Sequence, residues 1–206
     1  MVRFVPAATH ILEVGCGRGG FAATLKAQRQ LHITAIEPFE AAVAEAKQHV
    51  DWLIHADVER GMAQLLDGSF DCIIFNDVLE HLVDPWAVLT DARRLLRPSG
   101  AVVASIPNMR HMPVLKDLVL KGEWRYRDEG VMDRTHLRFF TKVSIRELFT
   151  VSGYTVQQIE GINAIKFPWK FRLLNRLALN ALDDARYMQF AVVAHIDQYR
   201  RSERAS

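Results

Sequence analysis

Residues 11–21 read ILEVGCGRGGF, an apolar run that stops on Gly15, Gly17, Gly19 and Gly20 and resumes at Phe21. Residues 11–14 have the length of a strand. Phe21, Ala22 and Leu25 then recur at helical spacing over residues 21–28. Glycines at such a strand-to-helix turn let the backbone come close to a ligand, and the helix that follows offers free N–H groups. The stretch predicts a strand, a ligand-binding elbow and a helix.

Working outward, the same alternation continues to residue 108. Residues 32–36 are a strand ended by Pro38, and 40–49 an alanine-rich helix. Residues 52–55 are a short strand and 58–66 a helix. FDCIIF at 70–75 is apolar on both faces, as in a central parallel strand covered by helices. Asp84 caps a helix over 85–96 with Pro85 in its first turn. Pro98, Ser99 and Gly100 then turn the chain into a strand at 101–106. Strands and helices at this spacing imply right-handed crossovers and a doubly wound α/β fold around a mostly parallel, seven-stranded sheet. After Pro107 the rhythm breaks. Residues 109–140 hold a helix at 114–120 and the polar, aromatic, arginine-rich GEWRYRDEGVMDRTHLRFF; a helix at 143–151 and a strand at 154–159 follow. Residues 163–186 form a second insertion, and the apolar YMQFAVVAHI at Tyr187–Ile196 closes the sheet, with this last strand antiparallel. Residues 1–206 are thus expected to be one domain with two insertions.

Composition narrows the class. Half of the 206 residues are hydrophobic, so a core forms without staples. The two cysteines, Cys16 and Cys72, both fall in core elements, which predicts a reducing, cytoplasmic setting without disulfide, structural zinc or other metal. No run approaches the roughly 20 apolar residues that cross a bilayer, and the first residues show no signal peptide. A net charge of +2 with both signs interspersed gives no reason to expect nucleic acid.

Gly15, Gly17 and Gly20 also satisfy G-x-G-x-x-G, the dinucleotide fingerprint. Glu37, at the end of the second strand, suits any cofactor that presents a ribose diol. For a dehydrogenase a Tyr-x-x-x-Lys pair is wanted, and Tyr126, Tyr154, Tyr187 and Tyr199 all lack it. Taken in order, ILEVGCGRGG, TAIEP (34–38), HADVE (55–59), FDCIIFNDVLEHL (70–82) and LLRPSGAVVASIPN (95–108) resemble the class I S-adenosylmethionine-dependent methyltransferases. Within them the likeness is to the small-molecule branch that includes ubiquinone-biosynthesis O-methyltransferases. It covers residues 10–108 well and 141–196 loosely.

That resemblance implies S-adenosylmethionine as cofactor, its methionine end over Glu13, Gly15, Gly17 and Gly19. It places the ribose hydroxyls on Glu37 and the adenine beside Pro38 and Phe39. Asp57 would accept from the adenine amino group, or simply cap the next helix, and Val58 would offer a backbone N–H. Asn76 would meet the methionine moiety with its main chain. Cys16 reads as a small apolar filler and Arg18 as a solvated charge.

The acceptor is expected to be a small molecule. If it is a hydroxyl, a base must take its proton, and His81 in NDVLEHL is the candidate. The 109–140 insertion is expected to form the acceptor lid, with Trp124, Tyr126, Arg134 and His136 lining it; the bland alternative is a loop of Asp128 and Asp133 ion pairs. A similar W-x-Y…D-R-T-H…F-F-T pattern is associated with sugar and cell-envelope methyltransferases. Residues 166–182, KFPWKFRLLNRLALNAL, read as a basic amphipathic helix with Phe167, Phe171, Leu174, Ala178 and Leu182 on one face. Such a helix serves a core, a homodimer face or an anionic membrane surface. A nicotinamide oxidoreductase and a non-catalytic S-adenosylmethionine-binding protein are the competing readings.

Overall fold

The computed structural model describes residues 1–197, the side chains of Lys170 and Leu174 apart; Tyr199 lies outside the described residues. Its strands are β1 (His10–Val14), β2 (His32–Glu37), β3 (Trp52–His55), β4 (Phe70–Asn76), β5 (Leu96–Pro107), β6 (Tyr154–Ala164) and β7 (Tyr187–Ile196). The helices are α1 (Gly20–Lys26), α2 (Glu40–Ala46), α3 (Val58–Ala63), α4 (Pro85–Leu95), α5 (Met112–Lys121), α6 (Lys142–Val151) and α7 (Trp169–Leu177).

All seven strands form one sheet in the order β3-β2-β1-β4-β5-β7-β6. Strands β1 to β5 pair in parallel, and β7 runs antiparallel to both β5 and β6. The last strand therefore enters between two others, and β6 takes the edge. The side chains explain this choice. The centre of β7 is buried on both faces, whereas β6 carries exposed Gln157 and Gln158, which an edge tolerates.

Alternate residues of each central strand feed opposite faces. Leu12, Val14, Ile73 and Phe75 pack under α3, α4 and α6 through Met62, Leu89, Leu95 and Phe149. Ile11, Ile33, Cys72 and Ile74 pack on the other face with Ala22 and Leu25 of α1 and with Phe4. Asp84 caps α4 by accepting from the Ala87 amide at 2.9 Å, and Thr141 and Ser144 form a reciprocal capping box on α6.

Several helix ends move by two or three residues from the sequence expectation, and three boundaries move for reasons of pairing or backbone conformation. Strand β5 already pairs at Leu96 with Phe70, then bulges before Ala101 pairs with Cys72, so the Pro98–Gly100 turn is an excursion inside the strand. Strand β6 continues to Ala164 because β7 pairs with it that far. The amphipathic helix is shorter than residues 166–182. It spans Trp169–Leu177 and ends before Leu179 and Asn180, both at positive φ, so Ala178 and Leu182 are not on its face.

Chain order reverses between β1 and β4, which creates the crevice at their carboxyl ends where open α/β sheets bind ligands. Both insertions lie at that end. Asn108, fully buried, donates to the carbonyls of Asp184 and Tyr187 at 2.9 Å each, and Arg110 pairs with Asp184 at 3.0 Å.

Candidate active site

The elbow after β1 is built on positive φ. Gly15, Gly17 and Gly19 sit at φ +67°, +53° and +81°, where a side chain would be strained. A Cβ at Gly15 would lie 2.6 Å from a methyl of Val78, so this glycine also lets the loop after β4 approach. At Gly17 a Cβ would meet nothing within 4 Å, which leaves open space above the elbow.

Glu37 is buried and ties the elbow to β2. One carboxylate oxygen accepts from the Gly17 amide at 2.7 Å, the other from the Phe39 amide at 3.0 Å. Each oxygen keeps a lone pair for a further donor, so a diol can still be held there. Glu13 is 2 % exposed, and its Oε2 is buried without a hydrogen-bond partner. Burial, and secondarily the Glu37 charge, push its carboxyl up to about 8. The Asn76 Oδ1 is a second buried acceptor without a partner. Two orphaned buried oxygens beside a glycine cradle fit a ligand with a cationic donor, and S-adenosylmethionine carries an ammonium. The residues present fit that cofactor.

On the adenine side, Phe39 is 72 % exposed and Pro38 exposed beside it, a face free to be covered by a ring. Asp57 caps α3 through an Arg60 amide bond of 2.8 Å to its Oδ1 and is exposed, with Oδ2 3.4 Å from the Arg60 side chain. The capping role is thus present, while Val58 beside it is buried. The Cys16 thiol, pushed up to about 12 chiefly by burial, packs with Ala35 and Ala46 as an apolar filler. Arg18 is an exposed charge paired with Glu45 at 2.8 Å.

One residue past Asn76 the chain turns through Asp77, at φ +53°, into the short 3-10 turn Leu79–His81. A cavity of about 270 Å³ opens there, lined by Asp77, Glu80, His81, Asp133, His136 and Gln189 among others. Two backbone bonds seal the insertion to this turn: the amides of Leu137 and Arg138 donate to the Glu80 carbonyl at 2.9 and 3.0 Å. The Glu80 carboxyl is 1 % exposed, and both its oxygens lack partners. Burial, then the nearby Asp77 charge, holds it well above the usual carboxylate range. His136, 8 % exposed, bonds the Val131 carbonyl through Nδ1 at 3.1 Å and places Nε2 4.0 Å from Glu80. The rings of His81 and His136 meet edge to face with centroids 4.7 Å apart. Donor atoms of Glu80, His81 and His136 all lie within 4.8 Å of one another, a set able to hold a cation. The expectation of no metal followed from the two core cysteines; this set uses none, and it joins the 79–81 turn to the insertion, which sequence spacing cannot show.

The acceptor candidates divide. His136 lines this cavity. Trp124 lines an adjoining one of about 240 Å³, which shares Gly130, Val131 and Met188 with it. Tyr126 stacks at a tilt on Phe139, 6.4 Å between centroids, half-exposed. Arg134 is exposed and paired with Asp128, and Arg127 with Asp117, so part of the insertion is the ion-paired loop. Asp133 turns instead to Thr135. Sequence reasoning missed Glu80, Asp77 and Thr135 as members of the site; only the adjacency of Glu80 to His81 hinted at any of them.

Helix α7 exposes apolar side chains, with Leu173 at 57 % and Leu177 at 75 %, so it is not a core helix in the isolated chain. Among the described residues no helix is long and apolar enough to cross a membrane.

Comparison with known proteins agrees with this geometry. Residues 3–159 match the family model described as "Methyltransferase domain". A ubiquinone biosynthesis O-methyltransferase of Maricaulis maris is 29 % identical over 178 residues, covering 82 % of this chain and 68 % of the relative. A crystallised S-adenosylmethionine-dependent methyltransferase from Archaeoglobus fulgidus superposes with a TM-score of 0.68 at 16 % identity, over 94 % of this chain and 88 % of that one. The 1,6-didemethyltoxoflavin-N1-methyltransferase of Burkholderia thailandensis, solved with S-adenosylhomocysteine, gives a TM-score of 0.60 at 18 % identity, over 92 % and 71 %. The family match over most of the chain decides what the elbow and Glu37 alone left open: the nicotinamide reading falls, and the chain belongs to the S-adenosylmethionine-dependent methyltransferase family.

Proposed function

We propose that this methyltransferase acts on a hydroxyl of a small molecule and that His81 takes the hydroxyl proton. When bound, the cofactor supplies a methyl group already activated by its sulfonium charge. What remains for the chain is to hold, align and deprotonate. Glu13, Gly15, Gly17, Gly19 and Asn76 would hold the methionine end, Glu37 the ribose, and Pro38, Phe39, Asp57 and Val58 the adenine. Residues 109–140 would serve as the lid of a single domain spanning residues 1–206, with Trp124, Tyr126 and His136 facing the acceptor and excluding water; Arg134 would act at its rim.

The observation that carries this reading is the position of His81. It lies on the wall of a cavity that begins where β4 ends, beside the elbow, where an imidazole can serve as a general base. Relatives named as O-methyltransferases support a hydroxyl acceptor. Positioned general bases contribute typically 10²–10⁴-fold to rate. His81→Gln should therefore lower kcat by at least about 100-fold while calorimetric affinity for S-adenosylmethionine stays within about twofold. Radiolabelled methyl transfer to panels of phenols and sugars supplies the assay. Wild-type turnover in the variant rejects His81 as base, and no transfer to any extract or panel favours the non-catalytic binding reading.

A further inference from the structure

Among the described residues the His81 ring has hydrogen-bond partners at one nitrogen only. Nδ1 lies 3.2 Å from the Thr135 carbonyl oxygen and 3.1 Å from the Thr135 hydroxyl. The carbonyl can only accept. The hydroxyl is already committed as a donor, because its proton goes to Oδ1 of Asp133 at 2.7 Å, and the same oxygen accepts from the Thr135 amide at 2.8 Å. What the hydroxyl has left for His81 is a lone pair. Both neighbours of Nδ1 are therefore acceptors, and an acceptor pair demands a proton on that nitrogen. In the neutral ring Nε2 is then bare.

We propose that Thr135 and Asp133, both from the 109–140 insertion, are positioning residues that lock His81 as its Nδ1–H tautomer and leave Nε2 as the basic atom of the site. The inference rests on the reading of His81 as base. The proton step balances without a further reactant: the acceptor O–H bond breaks, its electron pair stays on oxygen, the N–H bond forms at Nε2, and Nδ1 keeps its proton. Asp133, held below the usual carboxylate range mainly by the Thr135 hydroxyl and amide, remains charged two hydrogen bonds away. It steadies the imidazolium that forms. The lid and the base thus become one unit, because the segment that covers the acceptor also sets the ring.

Three measurements test this. In protein labelled with 15N-histidine, the ring signal that vanishes in His81→Gln identifies His81; it should show a protonated Nδ1 and a bare Nε2. Thr135→Val should lower kcat about tenfold, the loss of one hydrogen bond to an ionising group, with KM for S-adenosylmethionine within about twofold. Thr135→Ser should restore kcat, and Asp133→Asn, nearly isosteric and uncharged, should lower it without unfolding the chain. Because Thr135 acts through His81, Thr135→Val should cost nothing further in the His81→Gln background. An Nε2–H tautomer in the wild type, or full kcat in both Thr135→Val and Asp133→Asn while His81→Gln is impaired, overturns the positioning role alone. Wild-type turnover in His81→Gln overturns the base reading on which it rests. Should Thr135→Val fail to fold, the wild-type tautomer and Asp133→Asn still decide.

Discussion

Replacing Glu13 by glutamine removes a carboxyl that the fold keeps protonated well above its ordinary range. Its side chain is 2 % exposed, its Oε2 has no donor, and the Glu37 charge lies close by, so the ionised form is disfavoured and the carboxyl titrates at about 8 against 4.5 for the free group. The sign follows from proton linkage. Below pH 4.5 both folded and unfolded chains hold this proton, and Glu13 is without effect on the pH dependence. Between 4.5 and 8 the unfolded chain releases it while the folded chain keeps it, so stability falls as pH rises. Each unit is worth about 1.4 kcal/mol, so the loss reaches up to about 5 kcal/mol at pH 8. Glutamine mimics the protonated form and carries none of this slope. Thermal melts of the ligand-free protein at pH 5, 6, 7 and 8 should show Glu13→Gln gaining on the wild type by roughly 10–20 °C at the top of the range. Glu80 and Asp77, also raised by burial, act in both proteins and cancel in the difference. A cationic cofactor reverses the balance by favouring the ionised form, so its binding to the wild type at pH 7 should release a proton, read by calorimetry in buffers of unequal ionisation enthalpy. Parallel melting curves for the two proteins across this range would refute the reasoning.

Glu37→Ala should weaken S-adenosylmethionine at least tenfold by calorimetry, since charge-assisted bonds contribute about 1.5–3 kcal/mol each; unchanged affinity removes Glu37 from the ribose. Tyr154→Phe loses a buried hydroxyl that donates to the Leu89 carbonyl at 2.8 Å, and should cost about 1 kcal/mol, or about 2–4 °C in Tm; an unchanged Tm means the bond contributes nothing. Helix α7, with Leu173 and Leu177 outward and exposed Arg172 and Arg176 each beside one of them, should carry the protein into the pellet with anionic vesicles and not with neutral ones, and Leu173→Glu should abolish this. Protein that stays in the supernatant and has the mass of a dimer would assign that face to a second copy.

The glycine elbow, the parallel strands and two candidate carboxylates were legible in the sequence because each is a local pattern. Gly15, Gly17 and Gly19 mark positive φ, the apolar run at 70–75 marks a strand covered on both faces, and Glu37 and Glu13 stand at fixed offsets from the turn. His81 was legible for the same reason, one turn beyond a strand end. What only the tertiary structure decided is how distant segments meet. The sequence marked the last strand as apolar, antiparallel and closing the sheet, and only pairing put it between β5 and β6, because a strand buried on both faces needs two neighbours. Spacing gave Glu80 no role, yet burial beneath the insertion left its carboxyl without partners beside His136. The insertion itself read as a lid or an ion-paired loop with equal ease, since charge composition does not say which carboxylate turns inward. Asp128 faces Arg134 at the surface, and Asp133 faces Thr135 behind the histidine. Local propensity is written along the chain. Desolvation and hydrogen-bond direction arise only when the chain has closed on itself, and those two effects decide how each legible residue is charged and partnered.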